Sequence, residues 1–296
     1  MENNEGVNGK ADSANEQNKL DEELAKAWSV VERSRHPLRP YTADYIESLF
    51  SEFEELKGDR CYGDDPAIIA GIGTLKPTSK YKEPMSVFVL GHQKGRKTKD
   101  KVYRNFAMAK PEGYRKAMRI MDLAERFQKP LVTFIDTPGA FPGVEAEERG
   151  QSEAIASSIM RMLKMNSPSV GIVIGEGGSG GALAIGCSDR LLMLENSTYS
   201  VISPESCAAI LWGKATESKR AAKALKLTAK DVLKLGVCDD VIKEGKEGAH
   251  ANFASVSESI LNDLHESLRS LGKKNGDALL KNRYKRFRNI DAVAFE

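Results

Sequence analysis

At 296 residues and 41% hydrophobic content the chain is long enough to bury one sizeable core, with one or two domains expected from length alone. Its 44 basic and 42 acidic residues nearly cancel, so no global field favours nucleic acid or a membrane surface over a small ligand. No apolar run reaches the ~18 residues a membrane span needs, and the polar opening MENNEGVNGKADSANEQNK lacks an apolar signal stretch, so a cytoplasmic protein is expected.

Residues 1–19 carry no aromatic and no branched aliphatic side chain except Val7, which predicts a disordered tail. Leu20, Leu24, Trp28 and Val31 then recur at helical spacing up to His36-Pro37, and YTADYIESLFSEFEEL after Pro40 reads as a second amphipathic helix. AIIAGIGTL and MSVFVLGHQ read as strands. A helix follows from Glu112 to Phe127, with Tyr114, Ala117, Met118, Met121, Ala124 and Phe127 on one face, and then the strand PLVTFIDTP.

About forty residues on, the plan repeats. A helix from about Gln151 to Met165 is broken at Asn166 to Pro168 and leads into the strand VGIVIGE, a glycine-rich turn and the short helix ALAIG. Strand, helix, strand implies parallel pairing through crossover helices, hence an α/β class. RLLMLEN and STYSVIS are further strands, PESCAAILW is helical, Thr228 is the N-cap of a helix, and VCDDVIKE is a last short strand. From about Phe253 the chain is helical and ends in the basic segment KNRYKRFR, read as a solvated or subunit-contacting face.

Cys61, Cys187, Cys207 and Cys238 are too far apart in sequence for a C-x(2-4)-C zinc pair, so no metal is expected and the thiols read as reduced packing residues. In a reducing compartment a chain of this length needs no disulfide framework.

Two strand ends open into turns that a packed core does not require: IDTPGAFPG at 135–143 and IGEGGSGGALAIG at 174–186. Glycines there bring bare N–H groups close to a ligand, and a following helix start favours an anion. Neither turn has the Gly-Lys-Ser/Thr ending of a P-loop, and GHQKGRKT at 91–98 has its glycines four apart instead of five. Lys94, Arg96, Lys97, Lys99, Lys101 and Arg104 form a local basic cluster, whose plain reading is a solvated loop.

Gly177, Ser179 and Gly181 also spell the G-x-S-x-G of a hydrolase nucleophile elbow, but the only downstream histidines are His250 and His265, in the polar C-terminal region. The reading that uses both turns is an oxyanion hole, in which amides of Gly180 and Gly181, and of Gly139, Ala140 and Phe141, stabilise charge on a carbonyl oxygen. Each such donor contributes ~3 to 4 kcal/mol at the transition state. The plainer alternative, glycines that merely permit tight helix-strand packing, stands beside it.

The motifs RPYTADYI, GDRCYGDDPAIIAGIG, GHQKGR, NFAMAKPEGYRKAMR, FIDTPGAFPGVEAEERGQSEAIA, IGEGGSGGALAIG and STYSVISPESCAAILW occur in this order. On these, from about Arg35 to Glu244, the chain resembles the carboxyltransferase alpha subunits of bacterial-type acetyl-CoA carboxylase. The resemblance implies a crotonase-like fold, a spiral of β-β-α units, over 61–245, preceded by a helical segment at 20–60 and followed by a C-terminal helical tail at 246–296. It implies transfer of a carboxyl group from carboxybiotin, held on a separate biotin carboxyl carrier protein, to acetyl-CoA, giving malonyl-CoA for fatty acid biosynthesis.

The same resemblance implies an α2β2 assembly with a beta subunit, supplied by a separate biotin carboxylase. Gly180, Gly181, Gly139, Ala140 and Phe141 are then the oxyanion-hole candidates, and Gly177, Gly178 and Ser179 the biotin-side turn. Glu147, Glu148, Arg149 and Gln151 read as a capping and ion-pair set. The segment before RHPLRP is shorter than in many relatives, MLKM at 162–165 only partly matches a biotin-attachment tetrapeptide, and no ATP-binding loop stands out. The alternatives are a stand-alone crotonase-fold acyl-CoA enzyme, a serine hydrolase built on Ser179, and a non-catalytic scaffold.

Overall fold

A computed structural model describes residues 5–290, with side chains described from residue 18. Helix α1 spans Glu5–Ser34, α2 Thr42–Leu49, and strand β1 Phe50–Glu55. The expected tail at 1–19 falls mainly where side chains lie outside the described residues; the backbone is helical from Glu5. β2 (Ile68–Leu75) and β3 (Met85–His92) come next, then the short helix α3 (Thr98–Tyr103), α4 (Pro111–Arg126) and β4 (Leu131–Thr137). α5 (Val144–Glu148), α6 (Gln151–Leu163), β5 (Ser169–Gly178) and α7 (Ser179–Leu183) repeat the plan. β6 (Arg190–Leu194), β7 (Thr198–Ser200), α8 (Pro204–Trp212), α9 (Ser218–Ala224), α10 (Ala229–Lys234) and β8 (Asp240–Ile242) precede the closing helices α11 (Phe253–Leu271) and α12 (Gly276–Arg288).

The strands form one sheet in the order β1-β2-β3-β4-β5-β6-β8, with β7 beside the end of β5. β1, β2 and β3 pair antiparallel, and from β3 onward every pair is parallel. Both faces are covered, so β4 is buried at every position instead of alternating between buried and exposed. Leu131 and Ile135 face a core with Tyr114, Ile120 and Met121 of α4 and Met162 of α6. Val132 and Phe134 face a second core with Tyr45 and Leu49 of α2 and Ile260 and Leu264 of α11.

Two local expectations fail. The helix expected over YTADYIESLFSEFEEL stops at Leu49, and FSEFEE forms β1 against β2. A Cβ on Gly71 would lie 2.7 Å from the Phe53 ring, and one on Gly73 2.8 Å from Phe50, so the two rings fill the places that β2's glycines leave empty. That cross-strand packing outweighs the local helical period. On α4, Ile120 is buried while Phe127 is 59% exposed, because the helix ends at Arg126.

The basic end is not simply solvated. Arg283 is 1% exposed, grips both oxygens of Asp189 at 3.0 and 2.9 Å, and donates to the carbonyls of Met162, Leu163 and Met165 at 2.8 to 3.1 Å. It thereby satisfies the orphan carbonyls at the end of α6 and docks α12 there. The partial tetrapeptide match MLKM lies at this same helix end, with Met162 and Met165 buried.

Candidate active site at the two glycine turns

β4 and β5 are adjacent and parallel, so the turns that leave them emerge side by side. The register is regular to Ile135↔Val173 and resumes at Thr137↔Gly177, so one residue of β4, Asp136, stands opposite three of β5. The backbone groups this bulge frees are taken by side chains. Asp136 Oδ1 accepts the Glu176 N–H at 2.9 Å, and Arg39 Nε donates to the Ile174 carbonyl at 2.6 Å.

The glycines divide by what surrounds them. A Cβ on Gly178 would lie 2.2 Å from the Pro138 carbonyl oxygen, and one on Gly181 2.8 Å from the Gly139 carbonyl carbon and 2.9 Å from the Ala140 nitrogen. Those two allow the turns to touch backbone to backbone. Gly180 is looser: its Cβ would meet only the Ile155 side chain, at 3.3 Å. Gly139, at φ +155°, has nothing within 4 Å.

The five proposed donors are not equivalent. The Phe141 amide is already spent on the Ala109 carbonyl at 3.1 Å, and the Gly139 amide on Thr137 Oγ1 at 3.1 Å. Those of Ala140, Gly180 and Gly181 meet no acceptor among the described residues. Gln151, read from sequence only as part of a capping set, is buried and donates from Nε2 to the carbonyls of Ala109 and Phe141, each at 2.9 Å. It pins the first turn in place.

Ser179 is exposed, at φ +51°, a left-handed conformation like that of a nucleophile elbow. It lacks a base. His265 Nε2 pairs with the Lys76 carbonyl at 2.8 Å, His250 stacks on His36 at 3.9 Å, and the buried His92 has no hydrogen-bond partner at either ring nitrogen. Burial and the Lys94 charge push the His92 imidazole down to about 3, so it is neutral; the backbone of Gly181 and Phe134 lies close to the ring without making a well-formed hydrogen bond.

Charged side chains at the strand ends carry a network the sequence reading missed. Lys94 Nζ lies 2.6 Å from Asp136 Oδ1 and 3.2 Å from Glu176 Oε2. Arg35 reaches Glu176 Oε1 at 2.7 Å and Glu205 Oε1 at 2.5 Å. Burial alone would lower the Lys94 pKa, and the two carboxylates more than reverse that, holding it above the ordinary lysine range. Burial pushes the Asp136 carboxyl up, whereas Lys94 and Arg35 outweigh burial at Glu176 and hold it below the usual range. The solvated-loop reading of the basic cluster therefore holds for Lys97, Lys99 and Lys101, which are exposed, and fails for Lys94. The legible signal was a carboxylate closing each of two buried strands.

Beside the second turn lies a cleft of about 320 Å³ lined by Ser179, Gly180, Leu183, Tyr199, Val201 and Val237, among others. Its walls are mostly apolar, with the acceptor-free Gly180 residue at one edge. Among the described residues no group of three or more His, Cys, Asp or Glu side chains could hold a metal, and no helix is long and apolar enough to cross a membrane.

The family described as acetyl co-enzyme A carboxylase carboxyltransferase-like matches residues 4–291. The acetyl-coenzyme A carboxylase carboxyl transferase subunit alpha of Xanthomonas campestris pv. campestris strain B100 is 55% identical over 266 residues, covering 90% of this chain and 81% of that protein. The chain belongs to the acetyl-CoA carboxylase carboxyltransferase alpha-subunit family. The alpha subunit of Pseudomonas putida is 54% identical over 88% of the chain and 80% of its own length.

Solved structures give the same fold at low identity. A subunit of a Pseudomonas malonate decarboxylase hetero-tetramer in complex with coenzyme A aligns with TM-score 0.63 and 16% identity, covering 84% of this chain and 94% of that one. Transcarboxylase 12S aligns with TM-score 0.61 and 17% identity over 78% and 41%. The crotonase-like fold and the carboxyltransferase character of this alpha subunit agree with the expectation from its motifs. Alpha-subunit membership also means a beta subunit as partner.

Proposed function

We propose that this alpha subunit forms one half of a composite site that moves a carboxyl group from carboxybiotin to acetyl-CoA, giving malonyl-CoA. Its partners would be a beta subunit in an α2β2 assembly, a biotin carboxyl carrier protein and a biotin carboxylase, all in the cytoplasm, and the product would feed fatty acid biosynthesis. One observation carries the reading: two glycine turns packed backbone to backbone keep the amides of Ala140, Gly180 and Gly181 free of acceptors.

The donor set suits a ureido oxygen on an apolar bicycle, because a free amide adjoins a mostly apolar cleft. Ser179, Gly180 and Leu183 would hold the biotin side, with Gly177 and Gly178 shaping the turn beneath them. When bound, carboxybiotin supplies the carboxyl group. The chain's own share is orientation and hydrogen-bond donation from fixed amides, which need no reorganisation as charge develops. Of the earlier donor set, Gly139 and Phe141 serve by shaping the first turn, since their amides are engaged within it.

The test is carboxyl transfer, or malonyl-CoA decarboxylation with free biotin, by each subunit alone and by the mixture. Activity is expected only in the mixture. Full activity from the isolated alpha subunit would overturn the composite-site reading, and an inactive mixture would overturn the reaction itself.

A further inference from the structure

Parallel strands β4 and β5 lose their backbone register at Asp136, immediately before the two turns leave the sheet. Ladder hydrogen bonds hold neighbouring strands in fixed alignment, so the bulge is where one turn is freest to slide against the other. Lys94 bridges this point. It arrives from the loop after β3 and contacts the last charged side chain of β4 and that of β5, at 2.6 and 3.2 Å. Gly175 makes room for the Asp136 carboxylate: a Cβ there would lie 2.3 Å from Asp136 Oδ1, the oxygen that also accepts the Glu176 N–H. Glu176 passes the tie on to Arg35, just past the end of α1, and Arg35 to Glu205 of α8.

Stability alone is a poor reason for this arrangement. The Asp136 side chain is 1% exposed, Glu176 14% and Lys94 17%, and ion pairs this buried are often no more stable than apolar residues of equal volume. What they supply is a fixed geometry. Donors to a developing oxyanion must be held within about 0.5 Å of their productive places.

We propose that Lys94 is a positioning residue for the carboxyltransferase reaction, its ammonium joining the roots of the two glycine turns across the bulge and so fixing the separation of the Ala140 and Gly180 amides. This rests on the proposed function of those turns. Lys94 touches neither substrate; it acts through Asp136 and Glu176.

The test compares Lys94→Met, Lys94→Arg and the charge-free triple variant Lys94→Met/Asp136→Asn/Glu176→Gln with the unsubstituted subunit, each assembled with the beta subunit. The triple variant removes both carboxylates that Lys94→Met would strand, and Arg35 keeps Glu205 as its partner, so it should fold even where Lys94→Met alone does not. In the triple variant kcat should fall about 10²-fold, the effect of donors displaced by an ångström, with KM changed far less and Tm and assembly retained. Lys94→Met should show the same fall in kcat together with a lower Tm, because it leaves two buried carboxylates without their cation. Lys94→Arg should recover part of kcat. Hydrogen exchange should quicken in peptides covering 137–143 and 177–183, a readout that needs no turnover. Unchanged exchange at both turns, or a kcat that falls only in step with Tm and assembly in the triple variant, would overturn the proposal. If the unsubstituted pair shows no carboxyl transfer, the proposed reaction fails, while exchange still reports on the tie.

Discussion

Gly181 sits directly on the peptide that joins Gly139 to Ala140, so close that a Cβ at residue 181 would fall 2.9 Å from the Ala140 nitrogen. Gly180, one residue earlier, would meet only the Ile155 side chain, its Cγ2 methyl at 3.3 Å. Adjacent glycines of one motif therefore answer to different demands, packing at 181 and access at 180. Gly181→Ala should lower Tm and assembly, with activity falling in proportion. Gly180→Val should leave most of the fold intact and reduce the rate ~10²- to 10³-fold by obstructing a donor. The check is rate against Tm in both variants with saturating beta subunit; a Gly180→Val rate that merely tracks Tm would make residue 180 a packing glycine as well.

Ser179 holds φ +51° with no base beside it. Left-handed backbone disfavours a non-glycine residue by ~1 to 2 kcal/mol, so Ser179→Gly should raise stability by about that much and Ser179→Ala should retain substantial activity. A lost nucleophile would instead reduce turnover by orders of magnitude. Covalent labelling of Ser179 by an organophosphonate would revive the hydrolase reading.

The fold's periodic parts were legible in the sequence. The largely apolar run of β4, the amphipathic α4 and the repeated strand-turn-helix plan each carry their own local signal. The failures have one physical cause, contacts between distant residues. Phe50 and Phe53 look helical until the glycines of β2 are set opposite them. Lys94 looks like its solvated neighbours until Asp136 and Glu176 arrive from two other strands. Likewise, the glycine motifs marked the candidate site, but which amides stay free depended on Ala109 and Thr137 as acceptors.

Arg283 lies far along the chain from Asp189 and α6, yet it serves both. Asp189 is 3% exposed at the side chain and also accepts from the Ser169 amide and hydroxyl at 2.8 and 2.9 Å. Arg283→Met would leave that carboxylate without its cation and remove the side-chain donor from the carbonyls of Met162, Leu163 and Met165. Breaking a buried pair from one side costs about 3 to 5 kcal/mol, so chemical denaturation should show a loss of that size. Protease sensitivity should appear first at α12. A loss under about 1 kcal/mol, the range of exposed ion pairs, would mean that α12 does not dock through this contact.

His92 gives the chain an acid limb of stability whose sign is fixed by burial. Its imidazole is pushed from 6.5 down to about 3 in the folded protein, first by burial and then by the Lys94 charge. Between those two values the unfolded chain binds a proton that the folded chain refuses, so acid favours unfolding. The stability lost approaches ~1.4 kcal/mol per pH unit below the unfolded pKa, and the loss ends once the folded imidazole itself titrates. Above about pH 7.5 both states are neutral and the residue has no pH effect. Since neither ring nitrogen has a hydrogen-bond partner, His92→Leu removes the titration without orphaning another polar group. The useful quantity is the unfolding free energy of the variant minus that of the unsubstituted chain, because contributions from His250, His265 and the carboxylates cancel in it. That difference should be flat above about pH 7.5 and should rise in the variant's favour by close to ~1.4 kcal/mol per unit between about pH 6 and pH 4. Parallel curves across that window would mean that His92 takes up its proton in the folded state, and so is not held neutral beneath Gly181.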